Sequence, residues 1–359
     1  MIIAIAAEHA NSARPTGVEH YTRQLILALS RIDQRNKYIL YIRKAPQRWF
    51  TELPQNFTVR HLPSRIAWTQ LRLSLAMFTD KPDALLVPSF SMPWIHPKKT
   101  VVTIHDLAWL LFPETEERLQ RWSLAATHTF AKWFASNLIA VSNSTKLNLV
   151  SSLGVSESKI RVIHHGFYSE GEEQNTEARL NTCAQPIIVC LGTLQPRKNL
   201  CRLIDAFSMM KEQHGFPHLL VIAGRKGWMC DEILSRVATT RDVIYIGYIE
   251  DRLALLKEAA LLVQPSVYEG FGLSVLDAFA ERVPVACSNT SSLPEVVGEA
   301  AELFDPYSVT SMSLAMSKVL IDPIHANLLV QRGWERLKQF TWDTCASKTL
   351  SLLSSQHQH

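Results

Sequence analysis

Residues 259–288 read AALLVQPSVYEGFGLSVLDAFAERVPVACS, and this stretch decides the fold class. An apolar run through Leu261, Leu262 and Val263 reads as a buried strand that stops at Pro265-Ser266. After the turn Tyr268-Glu269-Gly270-Phe271-Gly272, apolar residues recur at three and four positions (Leu273, Leu276, Ala280; Val275, Phe279), which is the period of a helix. A second apolar strand follows from Val283 to Ala286. Such a strand–loop–helix–strand unit belongs to a parallel sheet. Two glycines at the loop-to-helix junction leave the first-turn N–H groups unpaired at the sheet's carboxyl edge, where phosphate is the usual anion. A Cβ there would keep a ligand off the backbone.

Two carboxylates bracket the junction: Glu269 in the loop and Asp277 eight positions on, inside the helix. A carboxylate beside a phosphate repels it, so both are better suited to accept hydrogen bonds from sugar hydroxyls. The plainer reading makes Glu269 a solvated loop acid and Asp277 an exposed helix acid, favoured near the helix start by the dipole.

The segment EGFGLSVLDAFAERVPVACSNTSSLPEV (269–296) resembles the E-x7-E donor-site motif of the retaining family-four, or group 1, glycosyltransferases. That resemblance implies a GT-B fold: α/β, with two Rossmann-like doubly wound parallel-sheet domains facing a central cleft. It places Glu269 near the donor sugar. Gly270 and the amides of Phe271, Gly272 and Leu273 then face the sugar and its diphosphate. The second motif acid, expected to grip the ribose hydroxyls, is Asp277 in place of Glu. Its side chain is one carbon–carbon bond (about 1.5 Å) shorter, a gap that a water can bridge.

The chain has 359 residues, which suggests two domains of roughly 150–180 residues each. Hydrophobic residues at 47% and charged residues at 19% fit large buried sheets and exclude general disorder. No apolar run approaches the roughly 18 residues that read as a membrane span. The start MIIAIAAEHA lacks a basic region and reads as a first strand, not as a secretion signal. All six cysteines (Cys183, Cys190, Cys201, Cys230, Cys287, Cys345) lie in the second half without a C-x-x-C. Buried free thiols in a reducing cytoplasm account for them better than disulfides or zinc.

The net charge of +4 is uneven. Residues 1–168 hold 20 Lys/Arg against 11 Asp/Glu; residues 169–359 hold 17 against 22. A basic first half suits an anionic partner, either a membrane surface or a lipid-pyrophosphate-linked acceptor, although solvated surface charge is the simpler account. Its Lys and Arg are scattered and carry no binding motif, so no nucleic-acid partner is expected.

The first half, residues 1–168, reads as an acceptor-binding Rossmann-like domain. The strand Ile2–Ala6 leads to Gly17, set before a helix at Tyr21, Leu25, Ile26 and Leu29 and so a candidate phosphate cradle. TGVEHYTRQLILAL resembles the family's glycine loop with a single glycine. Two amphipathic helices, at 64–80 and 117–137, combine Arg65, Arg72, Arg118, Arg121 and Lys132 with aromatic and aliphatic residues. Such stripes are usually core; a membrane-facing role is the less common reading. The strand KTVVTIHD delivers His105-Asp106 to the sheet's carboxyl edge, where a satisfied histidine beside a helix N-cap is the commoner account. Its resemblance to the family's HD-containing acceptor-side segment makes His105 a candidate catalytic residue.

A polar linker spans 169–185, and residues 186–340 form the nucleotide-sugar-binding domain. There the strand Ile187–Leu191 precedes Gly192-Thr193-Leu194-Gln195-Pro196-Arg197-Lys198-Asn199. Two adjacent cations in a glycine-bearing strand-to-helix loop can neutralise a diphosphate. The loop resembles the family's G-R-L-x-x-x-K-G segment. Lys198 matches its lysine, Thr193 stands where the arginine does, and Arg197 can supply the missing charge. Gly224, after the next strand, and Tyr248, expected beside the nucleotide base, complete the donor-binding set. Residues 341–359 form a final helix expected to cross back to the first domain.

No D-x-D occurs, so the expectation is a metal-independent enzyme without cofactor. The resemblance implies transfer of a hexose, mannose first, from a nucleoside-diphosphate sugar (GDP-mannose first) to a glycan or lipid-linked acceptor in surface polysaccharide synthesis. Glu269 and Asp277 face different parts of the donor, so a front-face retaining transfer fits better than a double displacement. Arg197 and Lys198 would then hold the leaving diphosphate. The expected location is cytoplasmic, peripheral at the inner membrane face. The alternative is a GT-B scaffold that binds a sugar nucleotide or glycan without turnover, for which Thr193 and Asp277 speak.

Overall fold

The computed structural model describes residues 1–12, 17–115, 118–167 and 185–355. The chain divides into two units: Met1–Pro113, Glu117–Tyr168 and Phe340–His359 form the first, Glu114–Glu116 and Ser169–Gln339 the second. The segment read as a linker, 169–185, lies outside the described residues except for residue 185.

Among the described residues unit 1 is built on seven strands: β1 (Ile2–Ala6), β2 (Lys37–Ile42), β3 (Phe57–His61), β4 (Ala84–Val87), β5 (Lys99–Ile104), β6 (Asn137–Ala140) and β7 (Ile160–Val162). Their order is β3-β2-β1-β4-β5-β6-β7, with parallel pairing throughout. Strands covered on both faces must be apolar along their whole length, and β4 (ALLV) is buried at every position. Helix Gly17–Ile32 packs Leu25, Ile26 and Leu29 onto this sheet, together with Trp342, Cys345 and Leu353 of helix Trp342–Ser354. The closing helix thus belongs to the first unit's core. A Cβ on Gly166 would stand 2.2 Å from Trp342 N, so only glycine lets the chain pass there.

Among the described residues unit 2 has six strands: β8 (Ile187–Leu191), β9 (Leu219–Ala223), β10 (Val243–Gly247), β11 (Ala259–Gln264), β12 (Val285–Ser288) and β13 (Glu302–Phe304). The order is β10-β9-β8-β11-β12-β13, again parallel, with Leu262 beside Val189 on one side and Val285 on the other. Both units are therefore doubly wound α/β sheets. The stretch 259–288 forms β11, helix Leu273–Ala280 and β12. The second strand starts at Val285, not Val283, because Pro284 has no N–H to give the ladder and only its carbonyl pairs, with Leu262 N.

The helix read at 64–80 is a π-turn, Trp68–Leu73, running into an α-helix, Ser74–Asp80. Trp68, Leu73 and Met77 face the core, while Leu71, Leu75 and Phe78 are exposed. The helix read at 117–137 runs from Arg118 to Phe134.

Candidate functional site

Strand order reverses between β1 and β4 in the first sheet and between β8 and β11 in the second. Loops leaving the carboxyl ends of the two strands at such a point diverge and open a crevice for ligands. In unit 2 these are the loops after Leu191 and after Gln264. The first ends in a 3-10 turn, Pro196–Lys198, and then in Asn199 at φ +58°, a conformation that asparagine tolerates better than most residues. The Asn199 amide donates to Pro265 O (3.1 Å) and Pro306 O (2.7 Å). Val267 N donates to Arg197 O, and Arg197 Nη1 to Tyr268 O, each at 3.0 Å. The two loops are laced together, and this brings Arg197, Lys198 and Glu269 to one point.

Glu269 is 7% exposed, which rules out the solvated loop acid. Its Oε1 accepts from Lys198 Nζ (2.5 Å), Gln264 Nε2 (2.6 Å) and Ser266 Oγ (2.7 Å), while Oε2 accepts from Arg197 Nη1 at 3.4 Å. Burial pushes this carboxyl up, but Lys198 and then Arg197 outweigh it and hold the group down at about 2. An ionised Glu269 therefore pins both cations. It engages one of the three Lys198 N–H donors, and among the described residues the other two carry no hydrogen bond.

The turn behind Glu269 is clamped. Ser292 Oγ donates to Glu269 O and Phe271 O, both at 2.9 Å, and Ser291 Oγ accepts from Glu269 N at 2.9 Å. Gly270 and Phe271 are buried within this clamp. Gly272, at φ +108°, sets the start of the helix that Leu273 opens. Thr193 follows Gly192, where a Cβ would lie 3.4 Å from Lys198 Cε. A Cβ on Gly224 would stand 1.9 Å from Gly192 O, so the loops after β8 and β9 touch backbone to backbone. Gly224 N donates to Gly247 O at 2.8 Å, drawing in the end of β10. Tyr248 follows, with the Arg225 guanidinium 5.0 Å from its ring centre.

Asp277 is 3% exposed, so it is no exposed helix acid either. Both its oxygens are occupied: Arg252 Nε donates to Oδ2 at 2.5 Å and Nη2 to Oδ1 at 3.2 Å. No sequence signal marked this pair, because 25 positions separate its members. The supports of Glu269 were missed as well. Gln264 was legible in principle as a polar residue closing the apolar strand AALLVQ, and 1% exposure demands a partner for it.

In unit 1, Gly17 opens its helix with free space where a Cβ would go; residues 13–16 lie outside the described residues. His105 Nε2 lies 2.8 Å from Pro88 O, at the end of β4. Burial pushes the His105 pKa down, so the ring is neutral. A carbonyl only accepts; Nε2 therefore carries the proton and Nδ1 keeps a lone pair. Tyr21 packs edge-on to this ring at 4.8 Å and lies 4.7 Å from His165. Asp106 Oδ1 accepts from Ala108 N at 3.1 Å, as a cap does. Among the described residues no group of three or more His, Cys, Asp or Glu side chains could hold a metal ion.

Two family profiles match the chain: "Glycosyltransferase Family 4" over residues 15–170 and "Glycosyl transferases group 1" over residues 172–336. The chain belongs to the group 1 glycosyltransferases. This group 1 chain is 37% identical over 166 residues to O-antigen chain mannosyltransferase B of Escherichia coli, covering 45% of the chain and 44% of that protein. It is 26% identical over 278 residues to the serotype-specific mannosyltransferase WbdA of Escherichia coli, covering 72% of the chain and 33% of that protein. The chain thus spans less than half the length of these curated relatives. Sucrose-phosphate synthase from Thermosynechococcus elongatus superposes with a TM-score of 0.76 at 22% identity, over 98% of both chains, and so shares the fold. The group 1 chain is of GT-B type.

Proposed function

We propose that the chain is a retaining glycosyltransferase that moves a hexose, mannose first, from a nucleoside-diphosphate sugar to a glycan or lipid-linked acceptor of surface polysaccharide synthesis. One observation carries this reading. At the switch point of the second sheet, Lys198 and Arg197 stand beside the glycine turn that opens helix Leu273–Ala280, both oriented by the buried Glu269. A pyrophosphate seated there meets two cations and the first-turn N–H groups of a helix start. The mannosyltransferase relatives support the sugar.

In the reaction the bond from the anomeric carbon to the diphosphate oxygen breaks, and one to the acceptor oxygen forms on the same face. The acceptor's proton passes to the leaving phosphate, whose charge Lys198 and Arg197 hold. These cations supply what a metal supplies elsewhere, so the transfer is proposed to be metal-independent. His105, with its lone pair on Nδ1, accepts a hydrogen bond from a substrate hydroxyl.

Among the described residues no helix is long and apolar enough to cross a membrane. Exposed Leu71, Leu75 and Phe78 beside Arg72, and Leu119, Trp122 and Trp133 beside Arg118 and Arg121, suit peripheral contact with an anionic membrane at its cytoplasmic face.

The test is to incubate the chain with GDP-mannose and lipid-linked glycan acceptors in a chelator and to follow product by NMR. An α-linked product formed without added metal is expected. An inverted anomer, or turnover only with a divalent cation, overturns the mechanism. Tight donor binding without transfer or hydrolysis favours the sugar-nucleotide binding protein.

A further inference from the structure

The Arg252–Asp277 pair leaves one edge of the guanidinium unspent. Asp277 takes the side-on edge, Nε and Nη2. Among the described residues Nη1 meets no acceptor, and the arginine side chain is 37% exposed against 4% for the carboxylate beneath it. A buried acid thus holds an outward-facing fork of two parallel N–H donors, Nη1–H and Nη2–H. Arg252 opens helix Arg252–Lys257, four residues after Tyr248 and on the same carboxyl edge of the sheet as Lys198. Asp277 lies about 6 Å along its helix from Leu273, by the usual rise per residue. The fork therefore stands beyond the pyrophosphate seat, within electrostatic reach of Tyr248, whose ring Arg225 flanks.

We propose that Arg252 reads the base of the donor nucleotide and that the base is guanine. This rests on the reading of unit 2 as a nucleoside-diphosphate site. Two parallel donors require two adjacent acceptors, which guanine presents as O6 and N7; cytosine presents O2 and N3, and CDP is therefore the competitor the test must include. Adenine offers N7 beside an amino donor, and uracil one carbonyl beside a C–H. Tyr248 gives the base a face to lie on. Asp277 is then a positioning residue: it fixes the plane of the fork and contacts no ligand.

Binding of GDP, IDP, ADP, UDP, CDP and 2′-deoxy-GDP by calorimetry tests this without any turnover, and binding of CDP as tight as GDP overturns the guanine assignment. The unmodified chain is expected to bind GDP and IDP, which share O6 and N7, about tenfold or more tighter than ADP and UDP. Arg252→Met should close that gap by weakening GDP and IDP alone. That variant strands a buried carboxylate, so Arg252→Met combined with Asp277→Asn must show the same loss in a folded chain. Asp277→Asn alone should weaken GDP while leaving ADP unchanged.

A guanine preference that survives both Arg252 variants overturns the proposal. So does a result in which they erase only the penalty for 2′-deoxy-GDP, since the fork then holds the ribose. If none of these nucleotides binds the unmodified chain, the donor-site reading itself has failed, and Arg252 with it.

Discussion

Lys198 Nζ donates to Glu269 Oε1 at 2.5 Å across 71 positions of sequence, inside a pocket where each side chain is at most 14% exposed. The pair is a preorganised charge. The ammonium is fixed before any ligand arrives, and among the described residues two of its N–H donors remain to be used. Lys198→Ala is predicted to lower kcat by more than about a hundredfold, the scale of losing one charge partner of a transition state. Near-normal turnover of the folded variant would remove Lys198 from the mechanism. The truncation also takes from the buried Glu269 its nearer cation, leaving Arg197 beside the neutral donors Gln264 and Ser266, so a fall in Tm should accompany it.

The same carboxylate makes stability depend on pH. Its pKa falls from the ordinary 4.5 to about 2 on folding, where Lys198 and Arg197 outweigh the effect of burial. A depressed folded pKa means that the unfolded chain binds the proton more tightly. The stabilisation is therefore complete above pH 4.5 and is lost as pH falls towards 2. Glu269→Gln should lower Tm at pH 7, and its deficit should shrink steadily between pH 5 and pH 3. A deficit that stays constant over that range would show that the pair contributes nothing through its charge.

The sheet architecture could be read from the sequence because strands covered on both faces are continuously apolar: Ile187–Leu191 and Ala84–Val87 stand out as buried runs, and Gly272 marks a strand-to-helix turn. The ends of these elements were less legible. Pro284 sits inside an apolar run and still cannot pair through nitrogen, which moves the start of its strand. Side-chain pairing was not legible at all. A sequence shows that Glu269 and Asp277 are acids, but not that Lys198 holds one and Arg252 the other, since such contacts arise only when loops 25 or 71 positions apart close on each other.

The glycine at 224 offers a test of the donor loops that is independent of charge. A Cβ there would stand 1.9 Å from Gly192 O, a backbone atom that cannot swing away. Gly224→Ala should therefore push the loop after β8 off its seat, lowering Tm and donor affinity together, with a stability loss of roughly 1–3 kcal/mol. Gly17→Ala meets no atom within 4 Å among the described residues and serves as the steric control, with no comparable fall in Tm. Equal behaviour of the two variants would mean that the contact between the loops is not rigid.

The protonation of His105 separates two isosteric replacements. Asparagine places a polar atom near the position of Nδ1, and glutamine near that of Nε2. If Nε2–H serves only to hold Pro88 O and Nδ1 receives a substrate hydroxyl, His105→Asn should retain more kcat/KM than His105→Gln. The expected gap is about tenfold, the size of one net hydrogen bond. Because burial holds the ring's pKa below the ordinary 6.5, any rise in the kcat/KM profile that the Asn variant abolishes should be centred below pH 6.5. The reverse order of the two variants would assign substrate contact to Nε2 and make the Pro88 bond a feature of the free protein only.

Exposed aromatic and aliphatic side chains on unit 1 carry the last prediction. Leu119 is 86% exposed, Trp122 71% and Trp133 68%, on a helix that also bears Arg118 and Arg121. Leaving such side chains in water costs free energy that a bilayer interface recovers, while the arginines stay among anionic headgroups. The chain should float with vesicles containing a third phosphatidylglycerol and remain behind with neutral ones. Raising the salt to molar concentration should release it by screening the arginines. Trp122→Ala and Leu119→Ala should each weaken the partition about tenfold, by the loss of one buried side chain. The same variants should leave turnover on a short water-soluble acceptor unchanged, because the surface would serve delivery of a lipid-linked substrate and not the transfer step. Flotation with neither kind of vesicle, or flotation that the Trp122 and Leu119 variants leave unchanged, would leave these residues without a membrane role, and equal flotation with neutral vesicles would remove the arginines from it.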